Sequence, residues 1–257
     1  MNNGSTSPVI IHIPHASTFI PDQVREQFVL GGADLARELV LMTDRYTDEL
    51  FAGGGLNAHM LVYSYSRLVC DPERFRDDES ETMAARGMGA VYTKTTHGLP
   101  LRRLLAQAER EACLRDCYDP HHACLTELAR EAMEAHGQCL IVDAHSFPSR
   151  PLPCDQDQKP ERPDICIGTD PYHTPPELAA RAVVAFEAEG FSVSVDLPYA
   201  GTLVPLAFYG CDRRVMSLMV EVNRKLYMEE DTGEKLAGFE TDLTRLQRGL
   251  SETVDCA

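Results

Sequence analysis

An α/β fold is predicted for this chain, three layers deep (α/β/α) around a mixed, mainly parallel sheet. Short apolar runs of strand length alternate with segments of helical periodicity, the pattern of successive βα units. The runs Val9–Ile13 and Leu140-Ile141-Val142 are apolar and β-branched, as expected of strands buried on both faces. No internal repeat or compositional break divides the sequence, so residues 1–257 are expected to form a single domain.

In chain order, Val9–Ile13 is the first strand and leads into Pro14-His15-Ala16-Ser17. Residues 34–40 read as a helix. Met42-Thr43-Asp44 breaks that pattern before a second helical stretch over 46–52, and three glycines stop it. Taken alone, Asp44 reads as the N-cap of that second helix. A strand is expected over 58–65. Residues 68–99 lack periodicity and are dense in charge and glycine; so long an irregular connection is more often functional than decorative. Two helices are expected over 101–117 and 120–136, joined at Tyr118-Asp119, with Gly137 closing the second.

The strand 140–142 then runs into Asp143-Ala144-His145-Ser146, the stretch around which the chain is organised. Ligand sites in open α/β sheets lie beyond the carboxyl ends of strands, where Asp143 and His145 are expected to emerge. The proline-rich 148–163 reads as a loop beside that site. A strand over 165–168, a helix started by Thr174-Pro175-Pro176 and ended by Gly190, and an alternating strand over 191–197 follow. An apolar run over 215–222 and an amphipathic C-terminal helix over 236–250 complete the pattern.

Composition narrows the function. A hydrophobic share of 44% and a charged share of 25% are those of a soluble globular protein. Forty acidic against 24 basic residues give a net charge of −16, which repels nucleic acid and anionic membranes. An anionic substrate therefore needs locally placed arginines. Nine cysteines, an odd number without paired spacings, fit reduced thiols; Cys70, Cys139 and Cys166 read as small buried apolar residues rather than nucleophiles. Residues 1–8 are polar with no signal-peptide pattern, and no run approaches the ~20 apolar residues of a membrane span. A cytoplasmic protein is expected.

Three polar groups sit at or beyond predicted strand ends: His15, His145 and Glu221. A buried carboxylate without a partner costs several kcal/mol, about the scale on which it neutralises instead. Glu221 is thus either half of an ion pair with Arg213, Arg214 or Arg224, or a general base. Two histidines with a carboxylate suit zinc and leave a position open. His97, His121 and His122 form an alternative set, although adjacent histidines on a helix point in different directions. His12, His59, His136 and His173 are read as structural or surface residues.

Seven segments together resemble the N-formylglutamate amidohydrolase family, whose fold is similar to that of the zinc-dependent exopeptidases (phosphorylase/hydrolase-like). They are His12-Ile13-Pro14-His15-Ala16-Ser17, Thr43-Asp44-Arg45-Tyr46-Thr47-Asp48-Glu49-Leu50-Phe51, Ser66-Arg67-Leu68-Val69-Cys70-Asp71 and Tyr118-Asp119-Pro120-His121-His122. Asp143-Ala144-His145-Ser146, Pro198-Tyr199-Ala200-Gly201 and Glu221-Val222-Asn223-Arg224-Lys225-Leu226-Tyr227-Met228 complete the match in order over nearly the whole chain. The resemblance implies a hydrolase that releases formate from N-formyl-L-glutamate. It implies one zinc ion on His15, Asp44 and His145, with Glu221 as the general base. Arg67, Arg74 and Arg224 would meet substrate carboxylates, and His122 would lie on the substrate side. A related zinc amidase for another N-acyl amino acid or a cell-wall peptide, or a binding protein without catalysis, are the competing implications. Two departures add negative charge near the expected anion site: Glu73 stands in place of a neutral amide, and Asp196 in place of an asparagine.

Overall fold

The computed structural model describes residues 7–53 and 55–255; most of the polar start of the chain lies outside them. Its centre is a six-stranded sheet of order β2-β1-β3-β6-β4-β5. The strands are β1 (Val9–Ile13), β2 (His59–Val62), β3 (Cys139–Phe147), β4 (Ile165–Gly168), β5 (Val193–Val195) and β6 (Val215–Asn223). All neighbours run parallel except β4 and β6, which pair antiparallel. The mixed, mainly parallel sheet is as expected.

Among the described residues seven α-helices accompany it: α1 (Asp22–Arg25), α2 (Gly32–Met42), α3 (Thr47–Leu50), α4 (Gln107–Cys113), α5 (Asp119–His136), α6 (Pro176–Ala188) and α7 (Phe239–Val254). Successive side chains of β3 alternate between two cores. Leu140, Val142 and Ala144 pack with Leu178, Phe186, Leu246 and Leu250 of α6 and α7. Cys139 and Ile141 pack with Leu125, Ala129 and Ala132 of α5. That period of two puts Asp143 and His145 on the α5 side of the sheet. A third core lies under the irregular region, where Leu35 and Met42 of α2 meet Leu68, Val91, Tyr92 and Leu114.

Four expectations change. First, β3 does not stop at Val142: it pairs with β6 through Phe147, with His145 opposite Glu221. Asp143 and His145 therefore lie in the strand, not in a loop beyond it. Second, residues 101–106 are not helical. Leu101 and Arg103 donate backbone hydrogen bonds to Thr93 and Gln27, and Arg102 reaches the carbonyls of Leu68 and Val69. Third, α4 and α5 do not break at Tyr118-Asp119; a π-helical turn, Leu114–Tyr118, joins them. Fourth, Thr174 does not cap α6, because its hydroxyl donates to Ser217 O at 2.7 Å across to β6.

Gly249 of α7 packs closely against Phe186 of α6. A Cβ there would sit 2.6 Å from Phe186 Cδ1, a ring with no exposed surface. Overpacking costs about 1–3 kcal/mol, against at most ~1 kcal/mol of helix propensity gained by alanine. Gly249→Ala is expected to lower the thermal midpoint by a few degrees; an unchanged or higher midpoint in a thermal melt would show that Phe186 moves aside freely.

Candidate active site and metal centre

Since β1, β3 and β6 are parallel, their carboxyl ends converge on one edge of the sheet. His15 follows β1 by two residues, while His145 and Glu221 sit side by side near the ends of β3 and β6. Asp44 joins them because α2 ends at Met42 and the chain turns back, its Asp44 N–H donating to His15 O at 3.0 Å. Asp44 does not cap α3, whose first turn is preceded by Tyr46 in the left-handed region, φ 66°. Its carboxylate instead faces the two histidines.

Ligand atoms of His15, Asp44 and His145 all lie within 4.8 Å of one another, and all three side chains are buried. Asp44 Oδ2 is 3.5 Å from His15 Nδ1 and 3.2 Å from His145 Nδ1. The opposite nitrogen of each ring is held by a second carboxylate: His15 Nε2 by Asp71 at 2.8 Å, His145 Nε2 by Asp143 at 3.2 Å. Carboxylates in this position fix the tautomer and turn the Nδ1 lone pairs toward the common space, as around metal-binding histidines. His15 Nδ1 is buried with no hydrogen bond.

Charges at the site follow from these contacts. Burial and the nearby Arg67 guanidinium lower the His15 pKa, which keeps the ring neutral and able to donate a lone pair. Burial opposes ionisation of Asp44. Hydrogen bonds from His145 and His15, with Arg224 nearby, outweigh it and hold the carboxyl well below its usual range. His145 also loses by burial, yet Asp143, Asp44 and Glu73 raise its pKa well above 6.5.

Glu221 is 8% exposed, and its Oε2 is buried without a hydrogen bond. Burial pushes its carboxyl up to about 7, against the opposing pull of His145. It forms no ion pair within 4 Å with any described arginine. Arg213 lies over Tyr172 and Arg214 pairs with Asp212 on the surface. The ion-pair reading of Glu221 therefore fails.

The arginines divide into two kinds. Arg224 is 4% exposed; its guanidinium donates to Asp44 Oδ1 at 2.8 Å, Ser146 Oγ at 3.2 Å, Leu41 O at 2.6 Å and Ser146 O at 3.4 Å. It is committed to holding Asp44. Arg67 spends Nε and Nη2 on Asp71 Oδ2, at 3.2 and 2.7 Å, leaving Nη1 without a protein partner among the described residues. Arg74 has only a 3.8 Å ion pair to Asp71, and its Nε has no hydrogen bond. His122 donates from Nε2 to Pro72 O at 2.9 Å and stacks on Tyr118.

A cavity of about 600 Å³ opens over this group, lined by His15, Asp44, His145, Glu221, Arg67, Arg74, Arg224 and His122. The irregular 68–99 segment and the 148–163 loop supply two of its walls through Met83, Met88, Leu152 and Asp155. Arg86 ties the two by donating to Cys154 O at 2.8 Å. A wider hollow of about 1060 Å³ beside α1 and α2 has Asp22, Arg25 and Asp48 as its charged lining and no histidine, so it lacks this chemistry.

Several residues at the site carried no role in the sequence reading. Asp71 orients His15, receives 2.5 Å from Tyr92 Oη, and pairs with Arg67. Asp143 orients His145. His12, read as structural, is buried beside Asp143 at 2.9 Å. Glu73 does line the cavity, but Asp196 does not. Asp196 accepts from Thr169 N and Oγ1 at 2.8 and 2.7 Å in a left-handed backbone, φ 55°, so its charge is spent away from the site. His97 contacts Thr96, and His173 bonds Val215 O and Gly210 N, both away from the cavity. No helix among the described residues is long and apolar enough to cross a membrane.

Comparison with known proteins bears on the fold and the family. A crystal structure of N-formylglutamate amidohydrolase from Ralstonia eutropha JMP134 superposes with a TM-score of 0.85 at 25% identity, covering 99% of this chain and 96% of that one. A gene product of Agrobacterium tumefaciens shares the fold, with a TM-score of 0.68 at 21% identity over 95% of this chain and 90% of that one. No curated protein sequence matches. The N-formylglutamate amidohydrolase family model matches residues 7–228, from before β1 to beyond Arg224, and the chain belongs to that family.

Proposed function

We propose that the cavity hydrolyses the amide of N-formyl-L-glutamate to formate and glutamate, using one zinc ion held by His15, Asp44 and His145. The observation that carries this reading is the convergence of three buried donors beside an unpaired buried glutamate. The donor set fits the ion: two neutral-capable imidazoles and a carboxylate are zinc ligands, and His15 Nδ1 is otherwise an orphan. Zinc bound there supplies Lewis-acid polarisation of an acyl oxygen and lowers the pKa of water.

The protein's own groups do the rest. Glu221, unpaired on the cavity wall, takes a proton from the water that attacks the formyl carbon. It returns that proton to the amide nitrogen as the C–N bond breaks, so glutamate leaves as the amine. Asp71 and Asp143 keep the histidine rings oriented, and Arg224 holds Asp44. Arg67 Nη1 and Arg74 are the guanidinium groups free to meet substrate carboxylates.

Hydrolysis of N-formyl-L-glutamate, N-formyl-L-glutamine and N-formyl-L-methionine, with and without a chelator, tests the reading. The glutamine substrate exchanges one carboxylate for an amide and should lose about ten- to a hundred-fold in kcat/KM, the worth of a charge-assisted hydrogen bond. Equal rates would remove the dicarboxylate preference, and chelator-insensitive turnover would remove the zinc. Glu73 on the cavity wall favours one second reading, an amidase for a less acidic N-acyl amino acid. Faster cleavage of the methionine or glutamine substrate would select it.

A further inference from the structure

On the other side of the His145 ring from Asp44, the structure assembles a second set of donors. His12 Nδ1 lies 2.9 Å from Asp143 Oδ1 and 3.4 Å from Glu73 Oε1, and the three donor atoms fall within 4.8 Å of one another. His145 Nε2 faces the same two acids, at 3.2 Å from Asp143 and 3.8 Å from Glu73. His12 and Asp143 have no exposed surface, and Glu73 is 13% exposed.

Two observations mark this set as incomplete. Asp44 and Asp71, the acids that contact His15, each have a guanidinium: Arg224 on Asp44 and Arg67 on Asp71. Glu73 and Asp143 have none within 4 Å among the described residues, although they face each other across His12. Glu73 Oε1 is also buried without any hydrogen bond. His12 Nε2 lies 2.8 Å from His121 Nε2, a contact that holds one proton between the rings. When His12 donates that proton, its Nδ1 lone pair points at the same two carboxylates that His145 Nε2 faces.

We propose that His12, Glu73 and Asp143 hold a second divalent cation beside the ion that fits His15, Asp44 and His145. One imidazole with two carboxylates suits zinc or manganese. Glu73 and Asp143 line the cavity, which provides the entry path. Such a cation also resolves the electrostatic conflict at the site. It offsets the two acids that would otherwise repel an anionic substrate from the same cavity.

Metal counting on the full chain tests the proposal without any substrate, so its outcome is independent of the formyl-amide reading. Protein stripped with a chelator is re-equilibrated with zinc, desalted, and analysed by elemental and native mass spectrometry. The wild type should carry two zinc ions per chain, and Glu73→Gln and His12→Asn one each. Glu73 sits on the cavity wall, so its variant keeps the test valid should the buried His12 variant fail to fold. Saturation of the wild type at one zinc would overturn the proposal, since a proton then suffices between Glu73 and Asp143. Two zinc ions in Glu73→Gln would overturn it equally.

Discussion

Glu221→Gln is expected to lower turnover by about 10²–10⁴-fold while leaving zinc content and substrate affinity close to those of the parent. Glutamine keeps the volume and one acceptor oxygen, so the wall between β6 and β3 does not collapse. It cannot take a proton, and its nearest neighbours are committed: His145 is engaged by Asp44 and Asp143, and Arg224 is permanently charged. The same residue sets the sign of the pH dependence. A base works only when deprotonated, and burial raises the Glu221 carboxyl to about 7. The rate should therefore climb as pH rises toward neutrality and fall below it, and a dication bound nearby would move that limb to lower pH. Loss of the acid limb in Glu221→Gln, together with its low plateau, identifies the group. Near-normal turnover in the variant would make Glu221 a structural residue.

How far the sequence carried these expectations depended on the range of the interaction. β1, β4 and β6 declared themselves through largely apolar runs, and α7 through its three-four spacing, because burial acts on each side chain separately. The trio of His15, Asp44 and His145 entered through family resemblance; spacing alone left Asp44 as a helix cap. The orienting acids were missed for a different reason. Asp143 was placed beyond the end of a strand, whereas it lies within β3, two residues from His145 and on the same face. Reading Asp-Ala-His as continued strand would have aligned the pair by the period of two. The parallel register of β1 beside β3 brings His12 to Asp143, a 131-residue separation that no local pattern encodes. Arg224 was expected to face substrate, but a short turn after β6 folds its guanidinium back onto Asp44. Asp71 lies in the aperiodic 68–99 segment, where the fold is set by buried side chains such as Tyr92 rather than by repeating hydrogen bonds.

Replacing His145 by alanine should have the other large effect, the loss of the zinc ion assigned to His15, Asp44 and His145. His145 is at once a donor to that set and a hydrogen-bond partner of both Asp143 and Asp44. Its removal leaves Asp44 against His15 alone on that side and takes one partner from Asp143, which keeps His12 and the Leu203 N–H. His15→Ala should behave alike, because no other described nitrogen replaces His15 Nδ1 beside Asp44. Asp71→Asn supplies the graded comparison. It keeps the shape around His15 but removes the carboxylate that fixes its ring, a change worth about 10–100-fold in metal affinity at sites of this kind. The expected order is therefore wild type, then Asp71→Asn, then the two histidine variants, which should bind at least about 10²-fold more weakly. Zinc affinity measured by competition with a chromogenic chelator reads that order directly, and activity should follow it. Full-affinity zinc binding in both histidine variants would move the metal away from this trio, while a loss in Asp71→Asn as deep as in His15→Ala would make Asp71 itself a ligand.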